Sequence, residues 1–198
     1  MTRKECLIKY WEYYLYLEKD FLQLIRYISL YKENFYTFSD EIHKQLISVG
    51  IEFENISKKL CEIKGISLSG KTNVTDFKQW IPTEQIEIKV IYSFEQINLL
   101  PFDNFTKEWW KSYNDIKHNR NANYKKVNFK NLLDALAGLF YAEMSLIKIV
   151  GEINGDIDVP DKYSKLFRIK DWETKYHTIQ PGARSATNEE IENIWNKN

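Results

Sequence analysis

The chain has 198 residues, 43% hydrophobic and 15% aromatic, which suits one globular domain with a sizeable core and argues against disorder. Lys plus Arg and Asp plus Glu balance at 28 each, so no overall field draws the protein toward nucleic acid, and any such binding needs a local patch. Cys6 and Cys61 form no CxxC pattern and lie in helix-like stretches, which favours separate buried thiols in a reducing cytoplasm. No apolar run approaches the roughly 18 residues a membrane span needs, and Met1 to Cys6 lead into charged amphipathic sequence, so neither a span nor a secretory leader is expected.

The first helix is written in two heptad columns, Leu7, Tyr14, Phe21 and Ile28 beside Tyr10, Leu17, Leu24 and Tyr31, which share one helical stripe. A second helix is expected from Thr37 or Ser39, with Thr37 and Asp40 spelling a capping box and Asp40 and Glu41 favouring the positive end of the dipole. Its stripe is Ile42, Leu46, Val49, Phe53, Ile56, Leu60 and Ile63, with Gly65 as the stop and His43 on the polar side. The short connection makes the two helices an antiparallel hairpin.

Ile86, Ile88, Val90, Tyr92 and Phe94 alternate with mostly polar residues, which predicts a strand, and Ile97 to Leu100 pair back on it before Pro101. A helical reading of 84–98 competes with this. Thr106 is placed to cap a third helix from Trp109 to about His118, followed by a polar, basic loop over 119–126. Asn128 caps a fourth helix to about Val150, with Phe129, Leu132, Leu133, Leu136, Phe140, Met144 and Ile147 on one face. Ala135, Ala137 and Gly138 would let a neighbouring helix come close, which suggests intimate packing or a dimer seam. Residues 151–160 read as a linker, 163–169 as a short strand, and the polar remainder ends in a short helix over 189–195.

Gly65-Ile66-Ser67-Leu68-Ser69-Gly70-Lys71-Thr72 matches the phosphate-binding pattern G-x-x-x-x-G-K-[ST] letter for letter. That chemistry needs a buried strand before the glycine and a helix after the threonine. Here a helical stripe precedes it, so a helix C-cap followed by a turn is the stronger reading and nucleotide binding the weaker. His43, His118 and His177 have no second His or Cys at ligand spacing, so no metal site and no cofactor is expected.

His118 stands apart because of its neighbours. Asn114 precedes it by one helical turn, and Lys117, Arg120, Lys125, Lys126 and Lys130 surround it with no acid between Asn119 and Lys130. A neutral imidazole can pass protons, adjacent cations can hold a phosphodiester, and Tyr124 with the Trp109–Trp110 pair can stack bases. The competing reading is a solvated helix end, where a histidine and lysines are favourable for electrostatic reasons alone.

The helix hairpin, the short motif helix and the long apolar helix together resemble the HEPN superfamily, prokaryotic four-to-five-helix domains frequent in toxin–antitoxin and phage-defence systems. The family motif is arginine, a polar residue, a spacer, an apolar residue, a spacer and histidine. Tyr113-Asn114-Asp115-Ile116-Lys117-His118 fits every position but the first, where Tyr113 replaces the arginine, and Arg120 follows the histidine instead of preceding it. The resemblance implies metal-independent RNA cleavage in a cleft between two protomers, with His118 as acid/base, Asn114 beside it and Arg120 on the phosphate. Equally, the missing arginine implies a non-cleaving relative that binds RNA, an antitoxin or another partner.

The sequence therefore predicts a mainly α, antiparallel HEPN-like helical bundle over 1–153, with a β-hairpin insertion near 86–100 and a polar extension over 154–198. The expected protein is a cytoplasmic homodimer that binds or cleaves RNA around His118, or a catalytically silent interaction module using the same face. RNA, an antitoxin or a defence partner is expected; a membrane is not.

Overall fold

The computed structural model describes residues 1–68, 77–81, 86–103, 108–156 and 162–170. The chain starts with α1 (Arg3–Cys6), a π-helical turn (Leu7–Trp11) and α2 (Glu12–Leu24) in one helical run, followed by α3 (Asp40–Ile63). A hairpin of β1 (Ile88–Val90) and β2 (Ile97–Leu99) leads to α4 (Trp109–Asn123), α5 (Phe129–Asn154) and β3 (Phe167–Ile169). The fold is a mainly α bundle bearing a small antiparallel sheet in the order β2-β1-β3.

The first helical run departs from its heptad. Tyr14, Leu17, Phe21 and Leu24 are buried as expected, but Leu7 and Tyr10 are only partly covered and Tyr31 is exposed. The π turn widens the helix by one residue, so the buried face steps from Cys6 to Trp11 and then resumes at Tyr14. The helix ends at Leu24, before Ile28 and Tyr31. On α3, Ser39, the second of the two expected starts, is the cap, its hydroxyl accepting from the Ile42 N–H at 3.2 Å. The stripe from Ile42 to Leu60 is buried, and Gly65 closes the helix with φ +68°, a left-handed conformation that glycine adopts without a Cβ clash.

α5 is the centre of the bundle. Asn128 and Asn131 form a reciprocal cap at its start, and from Leu132 to Glu143 every residue is buried, so the one-sided stripe expected from sequence is in fact a helix covered on all sides. The helix runs on to Asn154 and ends on Gly155 at φ +62°, so residues 151–154 belong to it and not to a linker. Ala135 and Ala137 are fully buried, and Gly138 seats the Trp109 indole: a Cβ there would lie 3.2 Å from Trp109 Cζ2. The small residues are thus used for close packing inside the chain, the first of the two uses expected of them.

The hairpin reading of 86–100 holds, with Ile88 opposite Leu99 and Val90 opposite Ile97. Strand β1 is shorter than the alternation suggested. The chain turns after Val90, which leaves Tyr92 and Phe94 exposed. Its other edge is taken by β3 from the expected C-terminal strand, with Ile88 opposite Ile169 and Val90 opposite Phe167. Thr106, Ser69 to Thr72, and the tail with His177 and residues 189–195 lie outside the described residues. Gly65 does follow a helix and not a strand, as the C-cap reading requires. Among the described residues no helix is long and apolar enough to cross a membrane. Cys6 and Cys61 are both buried thiols outside any disulfide.

Candidate nucleic-acid interface

α4 exists because Trp109, Trp110, Tyr113 and Ile116 make one buried face at helical spacing. The Trp109 indole N–H donates to the Pro101 carbonyl at 2.7 Å. Its ring meets the Phe53 ring edge-on at 5.1 Å, and Trp110 does the same at 5.7 Å. The tryptophan pair is therefore core, with Phe77, Trp80 and Tyr141 in the same aromatic cluster, and is not a platform for bases.

Beyond Ile116 no apolar side chain ties α4 down, and at Asn119 the backbone leaves the helical region (φ −150°, ψ 82°). Asn119 caps the turn after the break, its side-chain oxygen accepting from the Ala122 N–H at 3.2 Å. The Asn123 amide donates to the Asp115 and Asn119 carbonyls at 3.1 and 3.0 Å, satisfying carbonyls freed by the break. His118 is thus the last residue before a kink. It is exposed, and its side chain makes no hydrogen bond among the described residues.

The other motif positions are occupied structurally. Tyr113, in the arginine position, is buried against Gly50 of α3, where any Cβ would overlap its ring. Its hydroxyl donates to Glu54 Oε1 at 2.7 Å, and Lys117 Nζ donates to the same oxygen at 2.7 Å and to the tyrosine oxygen at 3.0 Å. Burial pushes the Tyr113 hydroxyl up to about 12. Burial acts to raise Glu54 too, but the hydrogen bonds from Lys117 and Tyr113 outweigh it and hold that carboxyl low. The Asn114 side-chain amide donates to the Trp110 carbonyl one turn back, at 2.9 Å.

The cations are less free than their spacing suggests. Lys117 is held by Glu54, Arg120 forms an ion pair with Asp40, and Lys130 binds Asp134 at 2.6 Å. Glu54 and Asp40 are brought to Lys117 and Arg120 from α3, while Asp134 sits one helical turn from Lys130 on α5 itself. Lys125 is exposed, and Lys126 donates to the Asn123 side chain at 2.9 Å. His118, Arg120, Lys125 and Lys126 share this exposed corner, whereas Tyr113 faces the core.

The N-terminal end of α3 anchors the corner. The Phe129 N–H donates to the Thr37 carbonyl at 2.8 Å and the Lys130 N–H to Phe35 at 3.0 Å. His43, expected on the polar side of its helix, is buried beneath Tyr124 at 4.4 Å between ring centres. Its Nε2 lies 2.8 Å from the Tyr124 carbonyl, and since a carbonyl only accepts, Nε2 carries the proton. A signal for this lay in the sequence. His43, Gly50 and Ser57 repeat every seven residues and form a second buried column on α3.

A second group of polar residues was missed entirely. Glu143 is buried in the middle of α5 with neither carboxyl oxygen hydrogen-bonded. Burial first, and then the charge of Glu52 on α3, drive its proton affinity well above the usual carboxyl range. Nearby Cys6 is pushed up to about 12 by burial and by Glu143. Nothing in the spacing marks Glu143, which reads as one polar residue in an apolar helix. Among the described residues no cluster of His, Cys, Asp and Glu is placed to hold a metal ion.

No protein-family model, curated protein or solved structure significantly matches this chain. The class the fold defines is a mainly α bundle carrying a three-stranded antiparallel sheet, with an exposed basic corner at the broken end of α4.

Proposed function

We propose that the chain is a HEPN-like RNA-binding protein of a bacterial toxin or defence system, which grips the phosphate backbone through the corner formed by His118, Arg120, Lys125 and Lys126 and does not cleave it. The observation that carries this reading is the break at Asn119: the cations after it are exposed, while Tyr113 in the arginine position is buried and hydrogen-bonded to Glu54. A phosphate at this corner would compete with Asp40 for Arg120 and meet an exposed Lys125.

The test is fluorescence anisotropy of a labelled RNA between roughly 50 and 200 mM salt. Each neutralised phosphate on a single strand contributes a slope of roughly −0.7 in log affinity against log salt, so three cations give about −2. Lys125→Ala with Lys126→Ala should flatten that slope to about −0.7. Salt-independent or absent binding by the unaltered protein rejects the reading in favour of a protein-interaction module on the same face. The exposed His118 imidazole, with no side-chain hydrogen bond among the described residues, favours the cleaving alternative. EDTA-resistant release of 2′,3′-cyclic phosphate ends, abolished by His118→Ala, would establish cleavage in its place.

A further inference from the structure

We infer that the RNA taken by this corner is single-stranded, and that its bases stack on aromatic side chains displayed along the connection between α2 and α3 and on the tip of the β1–β2 hairpin. The inference rests on the RNA-binding reading above and adds the ligand's form and path.

Exposed aromatic residues gather here. Tyr36 is 81% exposed, Phe94 99%, and Phe38, Tyr31 and Tyr92 are exposed as well. Large apolar rings left in water over a contiguous stretch need an occupant, unlike scattered single ones. The tertiary structure makes the stretch contiguous from both sides. The hairpin tip is tied to its start, the Ser93 hydroxyl donating to the Leu30 carbonyl at 3.2 Å and the Lys32 N–H donating to Glu95 Oε2 at 2.9 Å. The basic corner is tied to its end, through the Phe129 N–H to Thr37 bond and the Phe38 ring, which meets Tyr124 edge-on at 5.8 Å.

The roughly seven residues from Leu30 to Thr37 span at most about 25 Å, so rings and cations fall within the reach of a few nucleotides. An aromatic platform that carries Lys32 and ends at the basic corner suits a polyanion whose bases are free to stack, and a duplex hides those faces. Glu33, Glu95 and Asp40 lie among the same residues, which disfavours a purely electrostatic attachment and gives stacking the larger share. Anionic lipid is the competing occupant of an aromatic and basic surface.

The experiment measures binding of an oligouridine of about 12 nucleotides, the same length of duplex RNA, and phosphatidylserine vesicles to the full chain. Tyr36→Ala and Phe94→Ala should each weaken oligouridine binding roughly tenfold without altering the salt slope, while Tyr36→Phe restores it. Both sites are exposed, so melting temperature should not change, and a circular-dichroism melt checks that. Duplex RNA should bind more weakly than the single strand and be indifferent to the aromatic variants. If oligouridine binds but neither aromatic variant weakens it, the stacking path is wrong and the basic corner stands. If oligouridine does not bind at all, both readings fall. Vesicle binding that is lost in Phe94→Ala, with RNA affinity unchanged, assigns the rings to lipid and overturns the inference.

Discussion

Tyr113 shows how one residue separates a motif in sequence from a motif in space. In the linear pattern it marks a missing arginine; in the fold it is a buried ring lying on Gly50 with its hydroxyl on Glu54. Reinstating the arginine should therefore not create a nuclease. Tyr113→Arg should leave RNA uncleaved and cost about 3 kcal/mol or more in urea unfolding, because it puts a cation into a site shaped for a ring. Tyr113→Phe keeps the ring and loses only the hydroxyl, at a cost of about 1 kcal/mol. Unchanged stability in Tyr113→Arg would mean that the ring is not packed as described.

Glu143 makes the second prediction at this scale. Its pKa is raised in the folded protein, so the folded state keeps a proton that the unfolded chain gives up near pH ~4.3. The stabilising effect of that proton is complete below the unfolded value and is lost as pH rises toward the folded one, at up to about 1.4 kcal/mol per pH unit. Urea unfolding of the wild type should accordingly weaken as pH rises above the unfolded carboxyl range, and Glu143→Gln should flatten that decline. Parallel profiles for the two proteins would show that the carboxyl is not held neutral in the core. Glu52 is raised too, by burial, and contributes in the same direction.

Among the elements, α4 and α5 contrast. α5 is specified by local chemistry at both ends, an Asn128–Asn131 capping box and a left-handed Gly155, and by burial in between. Removing the cap through Asn128→Ala should lower stability by about 1 kcal/mol, read as a lower urea midpoint with an unchanged slope. α4 is held by its first two turns only, and its polar second half breaks at Asn119. Amide hydrogen exchange should reflect this, with slow exchange at Tyr113 and Ile116 and fast exchange from Arg120 to Asn123. Uniform protection through Asn123 would contradict the break.

For the whole molecule, burial of α5 is the dominant contribution. Leu136, fully buried, should cost about 2–5 kcal/mol when truncated to alanine, enough to remove a large part of a single domain's stability. Gly138 packs on the chain's own Trp109 and Ala137 is fully buried, so self-association, measured by sedimentation, should be unaffected by changes there.

The sequence by itself determined the helices, their cores and most of their ends, because these depend on spacing within one element: the α3 stripe, the Asn128 cap, the Gly65 stop and the short hairpin are all set by neighbours a few residues apart. It also marked where the chain is chemically unusual, around His118. Only the tertiary structure decided which of those groups are free. Glu54 and Asp40 of α3, distant in sequence, come to rest on Lys117 and Arg120, whereas the Asp134 partner of Lys130 lies one turn along the same helix. The tryptophan pair disappears into the core because α3 and α5 cover it, while Tyr36 and Phe94 stay in solvent. A one-residue π turn shifts the register of the first helix, and a carboxyl sits unpaired inside the last. Spacing along a chain sets which side chains share a face; what lies opposite that face is set by the packing of distant elements, and the charge and exposure of a site depend on the latter.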